Sequence, residues 1–274
     1  MSFRRPPFGR AWVLIVALLL VLGMSAVSCG DSPQVETTVG TGEEAPVEIV
    51  VSAASDLTTV LEELGPLFES ETGVVLQTNL GSTGQLMEQI SAGAQVDVFL
   101  AASSSAIDQL DEKGLLVPGS THLYARGQLV MWQPDGSAVT VNGLTDLAGE
   151  GVARISIANP DHAPYGQAAR EALESVGLWE QLQPKLIPAE NVRQAYQFAE
   201  SGNVDVGLVA LSLVIDTGGR YVVVPEESHK PINQTLALVA AGKHRAEAQT
   251  FVDFLMGEKG REILHKYGFL LPEE

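Results

Sequence analysis

Basic side chains are scarce in this sequence: 16 lysines and arginines stand against 34 aspartates and glutamates over 274 residues, a formal charge of −18. That balance excludes the basic footprint by which proteins hold nucleic acid. Cysteine is scarcer still. Cys29 is the only one, so an internal disulfide is excluded. There is no Walker loop, no dinucleotide fingerprint and no Gly-x-Ser-x-Gly elbow, which removes the common nucleotide-binding and hydrolase signatures. His122, His162, His229, His244 and His265 are scattered without metal-ligand spacing. A serine-hydrolase reading would need Ser55 or Thr83 as nucleophile, His162 as base and Asp161 as its orienter. Asp161 and His162 are chain neighbours whose side chains need not meet, so His162 reads as a solvated loop residue and the chain as a non-enzyme.

What is present is organised from the N-terminus onward. Arg4, Arg5 and Arg10 make a basic start, an apolar run from Ala11 to Leu22 follows, and small residues lead to Cys29. This is the layout of a secretory signal over residues 1–28; the run is short for a membrane span of about 20 residues. Ala26-Val27-Ser28-Cys29 resembles a bacterial lipobox, with Ala26 where leucine is usual. That resemblance implies a lipidated Cys29 and a mature chain held on the outer face of the cell membrane without a spanning helix. Loss of 1–28 removes three arginines and no acid, leaving 13 basic against 34 acidic side chains and a charge of −21. The acidic, Gly-, Pro- and Thr-rich stretch that follows Cys29, through residue 46, reads as a flexible tether.

From Val47 onward, strand and helix signals alternate. VEIVVSA (47–53), VVLQTNL (74–80), VDVFLAA (96–102), LVMWQP (129–134), ARISIANP (153–160), VDVGLVA (204–210), YVVVP (221–225) and TLALVAA (235–241) read as strands. Helices are expected over 56–70, 83–92, 104–113, 165–176 and 191–201, with two more at the C-terminus. The alternation predicts an α/β protein with mostly parallel sheets flanked by helices.

Parallel α/β sheets take ligands beyond the carboxyl ends of their strands, where helices begin. Strand-to-helix junctions stand out at 53–56, 81–84, 159–166 and 188–193. Each offers backbone N–H groups that no helical carbonyl can satisfy, and two add small hydroxyls. Donors of this kind, with the helix dipole behind them, suit an oxyanion and require no lysine or arginine. An acidic protein can therefore hold a dianion in a closed site, its global field being screened by salt over about 10 Å. Taken singly, Ser55, Asp56 and Thr83 are equally ordinary helix caps.

In combination the junctions resemble one family. Ser52-Ala53-Ala54-Ser55-Asp56-Leu57 is similar to the first ligand loop of periplasmic molybdate-binding proteins of ABC transporters. Gly81-Ser82-Thr83-Gly84-Gln85-Leu86 with Gln89-Ile90-Ser91-Ala92-Gly93-Ala94 is similar to the second, and Asp97 to Ala102 to the strand after it. Residues 157–166 and 185–193 resemble the third and fourth loops, and Lys266-Tyr267-Gly268-Phe269 the C-terminus. The resemblance covers about residues 47–272. It implies a two-lobed, type II periplasmic-binding fold: lobe 1 from 47–127 and 226–274, lobe 2 from 128–225, crossing near Gln128–Trp132 and Val222–Pro225. It implies a hinge that closes on molybdate or tungstate, two dianions of nearly equal size, with sulfate or phosphate as the alternative guest. No cofactor is implied. Ser55 would donate its hydroxyl and N–H, Thr83 a hydroxyl, and Tyr165 and Val192 a backbone N–H each. Some members add a tyrosine hydroxyl where this chain has Ala210 followed by Leu211; the Tyr165 phenol is the expected substitute. The implied partners are a membrane permease with its cytoplasmic ATPase, reached by a monomer.

Overall fold

The computed structural model describes residues 46–272. The expected leader, Cys29 and the tether as far as residue 45 lie outside the described residues. Among the described residues, ten strands form two five-stranded sheets, accompanied by eight α-helices. The first contains β1 (Glu48–Ala54), β2 (Val75–Gly81), β3 (Val98–Ala101), β4 (His122–Gly127) and β10 (Ile232–Leu238), in the order β2-β1-β3-β10-β4. The second contains β5 (Leu129–Gln133), β6 (Ile155–Ala158), β7 (Leu186–Ala189), β8 (Val206–Ala210) and β9 (Arg220–Val223), in the order β7-β6-β8-β5-β9. The fold is the expected two-lobed α/β arrangement. The sheets are mixed, however: in each, three neighbouring strands run parallel and the remaining two pairings are antiparallel. The antiparallel pairings follow from chain exchange. β5 comes to the second sheet straight from β4 of the first, and β10 returns to the first after β9. Local strand–helix alternation carries no trace of a strand arriving from another sheet.

Two strands escaped the sequence pattern for physical reasons. β4 is His-Leu-Tyr-Ala-Arg-Gly, without an apolar run, and β7 contains Pro188, which is tolerated because β7 is an edge strand. The short helix α5 (Trp179–Leu182) was also unassigned.

The first sheet is covered on both faces. On one side α1 (Thr58–Thr72), α7 (Arg245–Met256) and α8 (Glu258–Lys266) bury Leu64, Phe68, Phe251 and Leu264. Phe68 and Phe251 meet edge to face at 5.4 Å between centroids, an arrangement aromatic quadrupoles favour. On the other side α2 (Thr83–Ser91) and α3 (Ser104–Glu112) bury Leu86, Ile90, Ile107 and Leu110. The second sheet packs against the alanine-rich faces of α4 (Pro164–Ser175) and α6 (Val192–Glu200), where small side chains allow close helix approach. Ala54 and Ala102, at the ends of first-sheet strands, join this second core. The carboxyl ends of β1, β2, β3, β6 and β7 are therefore brought together.

Candidate functional site

Ser55, Thr83, Tyr165 and Val192, more than 100 residues apart at the extremes, line one cavity with Ala54, Asp56, Gly81, Ser82, Ala102, Ala163 and Pro164. Its volume is about 10 Å³, whereas organic ligands occupy pockets of about 300–1,000 Å³. No lysine or arginine lines it. Each of the four residues stands at the first or second position of a helix. Ser55 opens the single turn Ser55–Leu57 that leads into α1, Thr83 opens α2, Val192 opens α6, and Tyr165 follows Pro164 at the start of α4.

Accounting for the first-turn amides shows what is left for a guest. In α2 the Gln85 N–H is capped by Ser82 Oγ at 3.4 Å, and the Gly84 N–H donates to the His162 carbonyl at 2.9 Å. In α6 the Gln194 N–H is capped by Asn191 Oδ1 at 3.0 Å, and the Arg193 N–H donates to Ser55 Oγ at 3.4 Å. Among the described residues, the Thr83 and Val192 N–H groups remain open, as helix geometry requires of unfilled first positions. Proline at the head of α4 has no N–H, which makes Tyr165 the first donor there.

Both hydroxyls are held as relays. Thr83 Oγ1 accepts from the Ala102 N–H at 3.0 Å and Ser55 Oγ from the Arg193 N–H, so each keeps its own proton to donate. An amide feeding a hydroxyl polarises the O–H and strengthens the next bond.

Asp56 is fully buried beside these donors. Its Oδ2 accepts from Gln234 Nε2 at 2.6 Å, while Gln234 Oε1 accepts from the Tyr124 hydroxyl at 3.2 Å. Burial pushes the carboxyl group up to about 6; the Tyr165 phenol, the Asp56 backbone N–H and Gln234 pull it partway back. The Tyr165 phenol is itself held well above the ordinary tyrosine range by burial and by the Asp56 charge. Its oxygen packs over Gly127 of the first sheet. Neither it nor Asp56 Oδ1 makes a well-formed hydrogen bond among the described residues. The phenol expected to replace the missing tyrosine is thus committed to the Asp56 side of the wall. Ala210, where that tyrosine would stand, is fully buried in the second core.

Two further residues differ from their sequence readings. His162 is not a free loop residue, because its Nδ1 lies 2.7 Å from Ser82 Oγ across the cleft. That bond engages Ser82, so the expected pairing of His162 with Ser55 or Thr83 is not formed. Ser212 is a tie that sequence reasoning missed. Its hydroxyl donates to the Asp56 carbonyl at 2.7 Å, and its carbonyl accepts from Thr59 Oγ1 at 2.8 Å. Ser82 and Asn191 carry ordinary N-cap signals that could have been read; Ser212 and Gln234 belong to no local motif.

Residues 49–270 match the family of bacterial extracellular solute-binding proteins. The chain is 39% identical over 227 residues to the molybdate-binding protein ModA of Rhodobacter capsulatus, spanning 81% of this chain and 88% of that one. It is 33% identical over 232 residues to the Escherichia coli protein of the same name, spanning 82% and 89%. Among solved structures, the periplasmic molybdate-binding protein of Azotobacter vinelandii superposes with a TM-score of 0.78 at 33% identity, covering 83% of this chain and all of that one. Helix starts gathered at the strand ends of two sheets, and similarity extending through both, have one reading: this chain belongs to the bacterial extracellular solute-binding protein family, alongside the ModA proteins.

Proposed function

We propose that this protein captures molybdate or tungstate outside the cytoplasm and delivers it to an ABC importer. The observation that carries the reading is the convergence of four helix starts, with two relay hydroxyls, on one small cavity that no cationic side chain lines. Such a site favours a compact multiply charged oxyanion: every oxygen can find a donor, and the partial positive ends of the helices supply the countercharge. Ser55 gives its hydroxyl and N–H, Thr83 its hydroxyl, and Tyr165 and Val192 their N–H groups. The buried Asp56 carboxyl group engages Gln234 through Oδ2.

Residues 47–127 with 226–274 act as lobe 1 and 128–225 as lobe 2, hinged where the chain passes between sheets. Closure removes water and strengthens each charge-assisted bond. The mature chain works as a monomer tethered by lipidated Cys29 and hands its cargo to a membrane permease driven by a cytoplasmic ATPase. It performs no chemistry on the guest and needs no cofactor. Calorimetric titration of the unlipidated folded part with molybdate, tungstate, sulfate and phosphate tests the reading. Saturable binding of the first two alone is expected; tighter binding of sulfate or phosphate would replace the guest, and turnover of an ester lost in Ser55→Ala would replace the class.

A further inference from the structure

Among the cross-sheet bonds that close the cleft, two sets differ most in their distance from the chain crossings. Ser212 belongs to the turn after β8, which neighbours the crossing strand β5, and the adjacent Leu211 N–H donates to the Gln128 carbonyl at 3.0 Å, inside the crossing itself. Ties at this point lie near the hinge and move little when the sheets part. The other set joins residues that follow β2, β6 and β7, the strands farthest in sheet order from the crossing strands β4, β10, β5 and β9. Here Ser82 Oγ meets His162 Nδ1 at 2.7 Å, the Gly84 N–H donates to the His162 carbonyl at 2.9 Å, and Gln85 Nε2 donates to Glu190 Oε2 at 2.7 Å.

The approach is close enough to demand a particular residue. A Cβ on Gly84 would lie 2.7 Å from the His162 carbonyl oxygen and 2.9 Å from its Cβ. The two backbones can touch only because Gly84 has no side chain.

We infer that His162 is a positioning residue for capture: with Ser82 and Gly84 it forms a latch at the open end of the jaw that sets how long the guest is retained. Its location at the end of the longest lever makes these bonds the last to form on closing and the first to break on opening. They are therefore absent from the encounter and present in the closed complex, which assigns their effect to dissociation rather than association. The latch also explains the polarity of the Ser82 hydroxyl. It accepts from the Gln85 N–H as a helix cap, and in the His162 tautomer protonated on Nε2 it donates its proton to Nδ1.

The inference rests on the oxyanion reading for its choice of guest. The test is stopped-flow binding of molybdate, with dissociation followed by a tungstate chase, on the wild-type chain and on His162→Ala, His162→Asn and Gly84→Ala. Each lost hydrogen bond corresponds to about a tenfold change in rate. His162→Ala should release molybdate about tenfold faster, with association within about twofold of wild type. His162→Asn, whose amide oxygen can take the place of Nδ1, should restore most of the retention. Gly84→Ala should release at least as fast as His162→Ala, since it holds the two backbones apart. Melting of the guest-free variants should match wild type. Dissociation unchanged in His162→Ala and Gly84→Ala, while the wild type binds, overturns the latch alone. A slowed association in place of a faster dissociation overturns it as well. No saturable binding of molybdate by the wild type overturns the oxyanion reading and the latch with it.

Discussion

The two halves of the cavity wall are built by different rules. The first sheet contributes Ser55 and Thr83, whose side chains carry the donors and are themselves fed by backbone amides. The second contributes Tyr165 and Val192, whose side chains join the second core, the Tyr165 phenol reaching Gly127 of the first sheet, and whose proposed donors are backbone N–H. One half is therefore open to editing by side-chain substitution. The other can be altered only by changing the path of the chain, which ties its donors to the stability of α4 and α6.

The largest break in that symmetry should come from the backbone side. Gly166 lies in the first turn of α4, where a Cβ would sit 2.2 Å from the Ala158 carbonyl oxygen. Gly166→Ala must displace the helix start, at a cost of about 3 kcal/mol of stability, with loss of molybdate binding; thermal melting and calorimetry read both.

Next in size is Asp56, which lies among the first-sheet donors without serving as one. Its carboxyl group titrates at about 6 in the folded chain against a reference of 3.8. A raised acid group holds its proton more tightly when folded, so its contribution is present in full below about pH 4 and is lost as pH rises through 6. Asp56→Asn is neutral at every pH. It should therefore melt above wild type at pH 7–8, by up to about 3 kcal/mol from the size of the shift. The gap should close near pH 4. A gap independent of pH would mean that folding leaves the titration of this carboxyl group unshifted.

Side-chain editing of the first half comes third. Ser55→Ala should weaken molybdate binding by roughly 1.5–3 kcal/mol, one charge-assisted hydrogen bond. Thr83→Val should cost about as much and also strand the buried Ala102 N–H, while Thr83→Ser preserves both bonds. Unchanged affinity in calorimetry would remove either residue from the contacts.

The smallest effects should mark the second half. Val192→Ala keeps its N–H and should change affinity by less than about 0.5 kcal/mol, even though a buried Val→Ala change costs stability. Tyr165→Phe removes a hydroxyl that stands over Gly127 and beside Asp56. It should likewise leave affinity within about 0.5 kcal/mol, since the phenol faces Asp56 and not the proposed guest. A loss comparable to that of Ser55→Ala would instead place the phenol on the guest.

Much of this molecule is legible along the chain. Strands β1, β2 and β8 and helices α1, α2, α4 and α6 follow from β-branched runs, helical spacing and punctuation such as Gly73, which ends α1 at φ 71. β4 was hidden because His-Leu-Tyr-Ala-Arg-Gly has no apolar run, and β7 because Pro188 interrupts a strand of four residues. Around the site, the helix starts at Ser55, Thr83, Tyr165 and Val192 were visible because caps and first turns are decided within a few residues. The bond from His162 to Ser82, the turn of the Tyr165 phenol toward Asp56, and the tie through Ser212 were not.

By itself, then, the sequence determined where each helix begins and what kind of donor stands there, because propensity, capping and hydrophobic period act over one or two turns. Only the tertiary structure decided that those donors face a common cavity, which strands run antiparallel, and which side chains tie the two sheets together. Those outcomes depend on pairings between residues far apart in the chain, such as Asp56 with Ser212, 156 positions on. Packing settles such pairings all at once, and no short window of sequence records them.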